Sequence, residues 1–249
     1  MQSACDQFRI SIKRVRDLIS LHNSIKAQTT AALDLSDILR AALVLTVSAL
    51  DYYIHEVVTL GMLEIHRGTR SEPAVTANTN QSAFSKFKVS LGSANQDRKV
   101  AIDIGSWIES EIQQNYGDDL LQQSHKISSL IPIISNTILN RLNNNSWLEA
   151  EIRESLSYKS FQEPEKIADA IRLISNIKLW DDVANKMGRT AKDVKQQLSF
   201  IVDRRNKIAH EADIDPTLGL GSRWNIDESM VNDAVNFIEQ VVESIHQIL

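Results

Sequence analysis

The stretch LRAALVLTVSALDYYIHEVVTLGMLEI, residues 39–65, decides the fold that this sequence predicts. It is apolar nearly all round and contains no proline, which is typical of a helix that is buried on every side. Asp34 or Ser36 can cap its start, and Gly68 lies just past its end. We therefore predict a central helix over residues 36–66, with other helices packed around it.

The rest of the chain also favours an all-α class. Only 8 glycines and 4 prolines interrupt 249 residues, and the periodic segments are rich in good helix formers. Apolar residues recur at helical spacing over 190–210 and 227–249, and we expect the closing helix to pack antiparallel along the helix before it. The prediction is one all-α domain over residues 1–249, a multi-helix bundle with core helices at 36–66, 190–210 and 227–249.

Composition limits both the compartment and the ligands. The single Cys5 fits a reducing compartment, and no group of cysteines and histidines suggests a metal site, so we expect neither metal nor cofactor. The most apolar run, Ala41 to Leu50, is about half a membrane span, so we expect a cytoplasmic protein without a membrane partner. A net charge of −5 argues against broad nucleic-acid binding.

Residues 69–100, rich in Ser, Thr, Asn and Gln, predict a long polar excursion.

The largest group of potentially catalytic side chains lies in RRNKIAH, residues 204–210. Arg205, Asn206 and His210 combine a fixed cation, a neutral amide and a group that titrates near neutrality, so together they could bind a phosphodiester and move its protons. Arg204 and Lys207 add positive charge. The sequence leaves open which of Arg204 and Arg205 is the functional arginine.

On a straight helix, the side chains of this motif do not all lie on one face. The predicted apolar stripe contains Arg205, which needs a partner if it is buried, and Asp51 is one candidate. His210 lies roughly 140° round the helix from Arg205 at about 100° per residue. Three solutions remain: the helix ends or tightens near Ala209, the long arginine curls round, or a second subunit brings its own motif alongside. The stripe consists of Val194, Leu198, Ile201, Arg205 and Ile208.

The central helix carries a polar stripe of its own. Ser48, Asp51, Tyr52, His55 and Thr59 recur at three- and four-residue spacings. One interpretation is an internal hydrogen-bond network with an Asp51–His55 pair one turn apart. The other is that the stripe faces the motif helix and supports it, with Asp51 as the first candidate and His55 as the second.

Several segments resemble one known family. LSDILRAALVLTVSALDYYIHE (35–56), SFQEPEKIADAIRLISNIKLWDDVANKM (160–187), RRNKIAHEAD (204–213) and the closing helix resemble the RiboL-PSP type of HEPN domain. HEPN domains have an Arg, four to six residues and then His on a late helix, often with Asn directly after the Arg. Arg205-Asn206 and His210 match that pattern, and the resemblance spans residues 34–60 and 158–249.

The resemblance implies an all-α HEPN fold and a metal-independent endoribonuclease that works as a homodimer with a composite site. His210 would then be the general base or acid towards the RNA 2′-hydroxyl, Arg205 would bind the phosphate, and Asn206 would orient one of them. The expected setting is a toxin or phage-defence effector, restrained by an antitoxin or regulatory protein. The alternative is a non-catalytic α-helical module that binds nucleotides, RNA or a protein.

Overall fold

The computed structural model of this chain describes residues 1–28, 33–74, 84, 108–109, 111–117, 120, 125–143 and 145–249. These described residues contain no strand, and an isolated antiparallel bridge joins Ile214 and Arg223. The all-α class predicted from the sequence is confirmed.

The structure contains the predicted core helices, with bounds that agree with the prediction to within one residue. The helices with described bounds are α1 Gln2–Lys26, α2 Ser36–His66, α3 Ile127–Asn143, α4 Asn145–Ser157, α5 Pro164–Ile171, α6 Leu179–Met187, α7 Ala191–Glu211 and α8 Glu228–Ile248.

The chain divides into two compact units. The larger unit is Met1–Phe84 with Lys159–Leu249, and the smaller is Ser85–Tyr158, which contains α3 and α4. The prediction of one domain over residues 1–249 stays a prediction. Most of the excursion predicted at 69–100 lies outside the described residues; within it, residues 69–74 form neither helix nor strand.

Helix α2 is the centre of the larger unit, as the sequence predicted. It contacts α1, α5, α7 and α8, and its middle turns bury Leu50, Tyr53, Ile54 and Val57 completely. By length and composition alone α2 could cross a membrane, but 56% of its most apolar window is buried among the other helices. A fully buried core helix has the same composition, so this finding is weak support for a membrane span.

The expected packing of the closing helix is wrong. Helix α8 packs on α1, α2 and α6 rather than along α7. An apolar groove lies between α7 and α8 and has a volume of about 300 Å³. Its lining includes Leu43, Phe200, Ile201, Met230, Val231 and Ala234. The helical spacing of α8 identified its apolar face correctly but could not tell which neighbours cover it.

Candidate active site

The motif helix α7 is fixed at both ends. Thr190 begins it by accepting a hydrogen bond from the backbone N–H of Asp193 at 3.1 Å. Ala212 ends it in the left-handed conformation with φ 52°. Val194, Leu198 and Val202 are the residues of α7 that are buried. The predicted stripe is therefore wrong beyond Leu198, because Ile201, Arg205 and Ile208 are only partly buried while Val202 takes the inner position.

The chain turns back sharply after α7. Asp213 is also left-handed, with φ 59°, and its carbonyl oxygen accepts a hydrogen bond from the N–H of Trp224 at 3.0 Å. The N–H of Asp215 donates to the carbonyl oxygen of Ser222 at 2.9 Å. These bonds hold residues 213–224 as a tight loop immediately after His210.

Arg204 is part of a buried ion cluster. Its guanidinium binds both carboxylate oxygens of Asp213, the second at 2.9 Å, and it also donates to the carbonyl oxygens of Trp224 and Asn225. Arg40 of α2 donates to the same carboxylate at 2.6 Å. Asp213 is 1% exposed, so one buried carboxylate is shared by two arginines. Arg204 therefore ties α7 to α2 and to the loop that follows.

A second set of charges anchors this loop to the start of α2. Arg223 forms ion pairs with Asp34 and Asp37. Hydrogen bonds from Ser36, together with the nearby guanidinium of Arg223, hold the pKa of Asp34 below its usual value. The beginning of α2 and the end of α7 are thus joined through the 213–224 loop.

Arg205 has a different environment from Arg204. Its Nη1 donates to Oδ1 of Asn206 at 2.9 Å, and its buried Nε has no hydrogen-bond partner among the residues that the structure describes. Helix α7 continues to Glu211 without tightening. Of the three geometric solutions, the chain shows a guanidinium that turns towards Asn206, whereas the presence of a second subunit is untested.

His210 lies in the last turn of α7 and is exposed, one turn beyond Asn206 on the same face. Lys207 lies on another face, with its Nζ 4.5 Å from the centre of the Trp224 ring. Arg205, Asn206 and His210 thus provide a cation without an ion-pair partner in the described part of the chain, an amide and an accessible imidazole within two turns of the helix.

The supporting residues expected on α2 have a structural role. Asp51 accepts hydrogen bonds from the N–H of Phe161 at 2.6 Å and from Gln162 Nε2 at 3.2 Å. His55 lies 3.8 Å from the Asp51 carboxylate and packs on the Phe161 ring. The pairing of Asp51 with Arg205 is therefore not formed. The interpretation of this stripe as an internal network is the one that the contacts support.

Sequence reasoning missed two residues that organise the site. Arg40 was given no role in the sequence analysis, although a buried cation within an apolar helix requires a carboxylate partner. Asp213 was quoted within the RRNKIAHEAD segment without a role. The available signal was the position of this acid, three residues after the predicted end of the motif helix at residue 210, where a short polar side chain can bind nearby groups.

The fold and the motif helix define the class, an all-α domain with an Arg-Asn pair and a histidine on a late helix. The chain belongs to the RiboL-PSP-HEPN family, whose model matches residues 9–249. No curated protein and no solved structure matches the chain. The family thus rests on a match that covers nearly the whole sequence, and it agrees with the predicted resemblance.

Proposed function

We propose that this protein is a metal-independent endoribonuclease that cleaves RNA by attack of the 2′-hydroxyl on the adjacent phosphate. HEPN domains are generally associated with ribonucleases, and the chain is a HEPN domain. The observation that carries the proposal is that the two arginines have different partners. The Arg204 guanidinium binds the Asp213 carboxylate, whereas Arg205 binds the Asn206 side chain and has a buried Nε that no described residue engages.

The chemistry assigns one task to each side chain. His210 removes the proton from the 2′-hydroxyl or returns one to the departing 5′-oxygen, as its exposure at the helix end allows. Arg205 binds the phosphate and stabilises the charge that develops on its oxygens. Asn206 holds the Arg205 guanidinium. The 2′-oxygen forms a bond to phosphorus as the 5′-oxygen leaves, which gives a 2′,3′-cyclic phosphate and a 5′-hydroxyl.

We further propose a homodimer in which two motif helices face one cleft. Arg205 and His210 lie about 140° apart round the helix, so the two side chains of one copy do not face the same phosphate. In a dimer, one copy can supply the arginine and the other the histidine. The proposed setting is a cytoplasmic toxin or phage-defence effector, with an antitoxin or regulatory protein as its restraint. Sedimentation at micromolar concentration tests whether the protein is a dimer, and a monomer with full nuclease activity would contradict the dimer proposal.

Cleavage of single-stranded RNA in the presence of EDTA tests the nuclease. His210→Ala should lower the rate by about 10²–10⁴-fold, the usual effect of removing an acid–base group. Arg205→Ala should lower it by about 10²–10³-fold, the usual effect of removing a donor that stabilises developing charge. His66→Ala is the matched control, because His66 is also an exposed histidine in the last turn of a helix. A folded His210→Ala protein that cleaves at the wild-type rate would show the assignment to be wrong.

A second function, a non-catalytic interaction module, is favoured by the apolar groove between α7 and α8. Phe200 is 62% exposed and Met230 is 46% exposed at this groove, and exposed apolar surface that lines a groove is typical of a site of protein–protein contact. A folded wild-type protein that cleaves none of the RNAs tested would favour this function over the nuclease.

A further inference from the structure

A groove runs along α7 beside the motif. It has a volume of about 660 Å³, within the range of ligand-binding clefts. The start of α5 forms its opposite wall. From α7 its lining includes Lys192, Lys195, Gln196, Ser199, Asp203 and Asn206.

This groove is continuous with the candidate active site through Asn206. The Asn206 side chain lines the groove, and its Oδ1 accepts the hydrogen bond from Arg205. His210 follows on the same face, one turn later. From Asn206 back to Lys192 is about 21 Å at 1.5 Å per residue, long enough for several nucleotides of a strand. A strand with its phosphate at Arg205 can therefore lay its neighbouring nucleotides along this groove.

The groove lining combines two lysines, which can bind phosphates, with three carboxylates, which can accept hydrogen bonds from base edges; the carboxylates belong to Glu163, Glu165 and Asp203. Glu165 pairs with Lys195 at 3.1 Å, and their side chains are 69% and 40% exposed, so a phosphate can replace the carboxylate at little cost. Lys192 and Asp203 are exposed as well. A carboxylate in a groove for RNA repels phosphates, but it accepts hydrogen bonds from the amino groups of bases.

We propose that this groove binds the nucleotides on one side of the cleaved bond, and that Asp203 makes it favour a base with an exocyclic amino group. The inference rests on the proposed function, because it takes the phosphate at Arg205 as its starting point. Cytosine offers its N4 amino group to a carboxylate, whereas uracil has a carbonyl oxygen at the same place. Lys192 and Lys195 bind the phosphates of the same segment.

Binding of short RNAs to the His210→Ala protein tests the groove separately from cleavage. Fluorescent six-nucleotide homopolymers of cytidine and of uridine are titrated in EDTA and followed by anisotropy. We expect the cytidine hexamer to bind about tenfold more tightly, as for one good base contact. Adding Asp203→Asn should reduce this ratio below about threefold, mainly because the uridine hexamer binds better. Asp233→Asn is the control, since Asp233 is an exposed aspartate of α8 that does not line the groove.

The outcomes separate this inference from the nuclease itself. Equal affinity for the two hexamers, no binding of either, or an unchanged ratio in the Asp203→Asn protein would overturn the groove. If the His210→Ala protein binds selectively but the wild type cleaves no RNA, the groove proposal is supported and the nuclease proposal is contradicted. If the wild type cleaves RNA but shows no preference for cytidine, the nuclease proposal is supported and the groove proposal is contradicted.

Discussion

Replacement of the buried Asp213 tests the ion cluster that ends the motif helix. Asp213→Ala removes a carboxylate that is 1% exposed and leaves the side chains of Arg40 and Arg204, 8% and 17% exposed, without their anion. Breaking a buried ion pair by removing one partner costs about 3–5 kcal/mol. Alanine at a φ of 59° adds about 1–2 kcal/mol of backbone strain.

Remaining hydrogen bonds offset part of this loss. Arg40 keeps the Ser36 hydroxyl and the Trp224 carbonyl oxygen, and Arg204 keeps two carbonyl oxygens of the loop. We therefore expect Asp213→Ala to lower the free energy of unfolding by about 3–5 kcal/mol in all, a large part of the 5–15 kcal/mol typical of a folded protein. Urea unfolding followed by circular dichroism measures the change.

Two further variants make this measurement decisive. Asp213→Asn removes the negative charge but retains a residue that tolerates the left-handed conformation, so its cost reports the loss of the ion pairs without the backbone strain. Asp169→Ala breaks an exposed pair with Arg172, whose side chains are 68% and 57% exposed, and should cost about 0–1 kcal/mol. If Asp213→Ala costs no more than Asp169→Ala, the buried cluster does not stabilise the fold and the reasoning fails.

Three other predictions concern stability. Arg205→Ala should change the unfolding free energy by less than about 1 kcal/mol, since no described carboxylate is left unpaired; urea unfolding showing a loss above about 2 kcal/mol would reveal a buried partner. Gly61→Ala should cost about 1–3 kcal/mol, because its Cβ would lie 2.8 Å from Ile174 side-chain atoms, and Ile174→Val should recover part of the loss in the same assay. The hydrogen bond from Arg9 lowers the pKa of Glu243, so this pair stabilises the protein above the ordinary pKa of about 4.3 and less as pH falls below it. Thermal melts should therefore show a shallower acid loss for Glu243→Gln, and an unchanged slope would contradict it.

Local periodicity was sufficient to predict the helices of the core. Helix α2 is visible in the sequence as a long apolar run, and α7 and α8 as segments with helical apolar spacing, so the bounds of all three were predicted to within one residue. The partners of the charged residues were not predictable in this way. Asp51 meets residues 161–162, which are 110 and 111 positions away in the sequence. Asp213 meets Arg40 because the chain turns back after α7 through Ala212 and Asp213, which are left-handed without being glycines. Periodicity carries no information about such returns.

The same return of the chain explains why two adjacent arginines differ. Arg204 and Arg205 are about 100° apart on α7, so only one of them can face the loop that carries Asp213. Binding a phosphate through Arg204 would require a buried ion pair to open, at a cost of about 3–5 kcal/mol. Arg205 has no such pair among the described residues, and its Nε is already desolvated without a partner. In the proposed function, a phosphate at Arg205 would therefore gain a charged hydrogen bond and break no ion pair among the described residues, which is the physical reason for proposing Arg205 as its ligand.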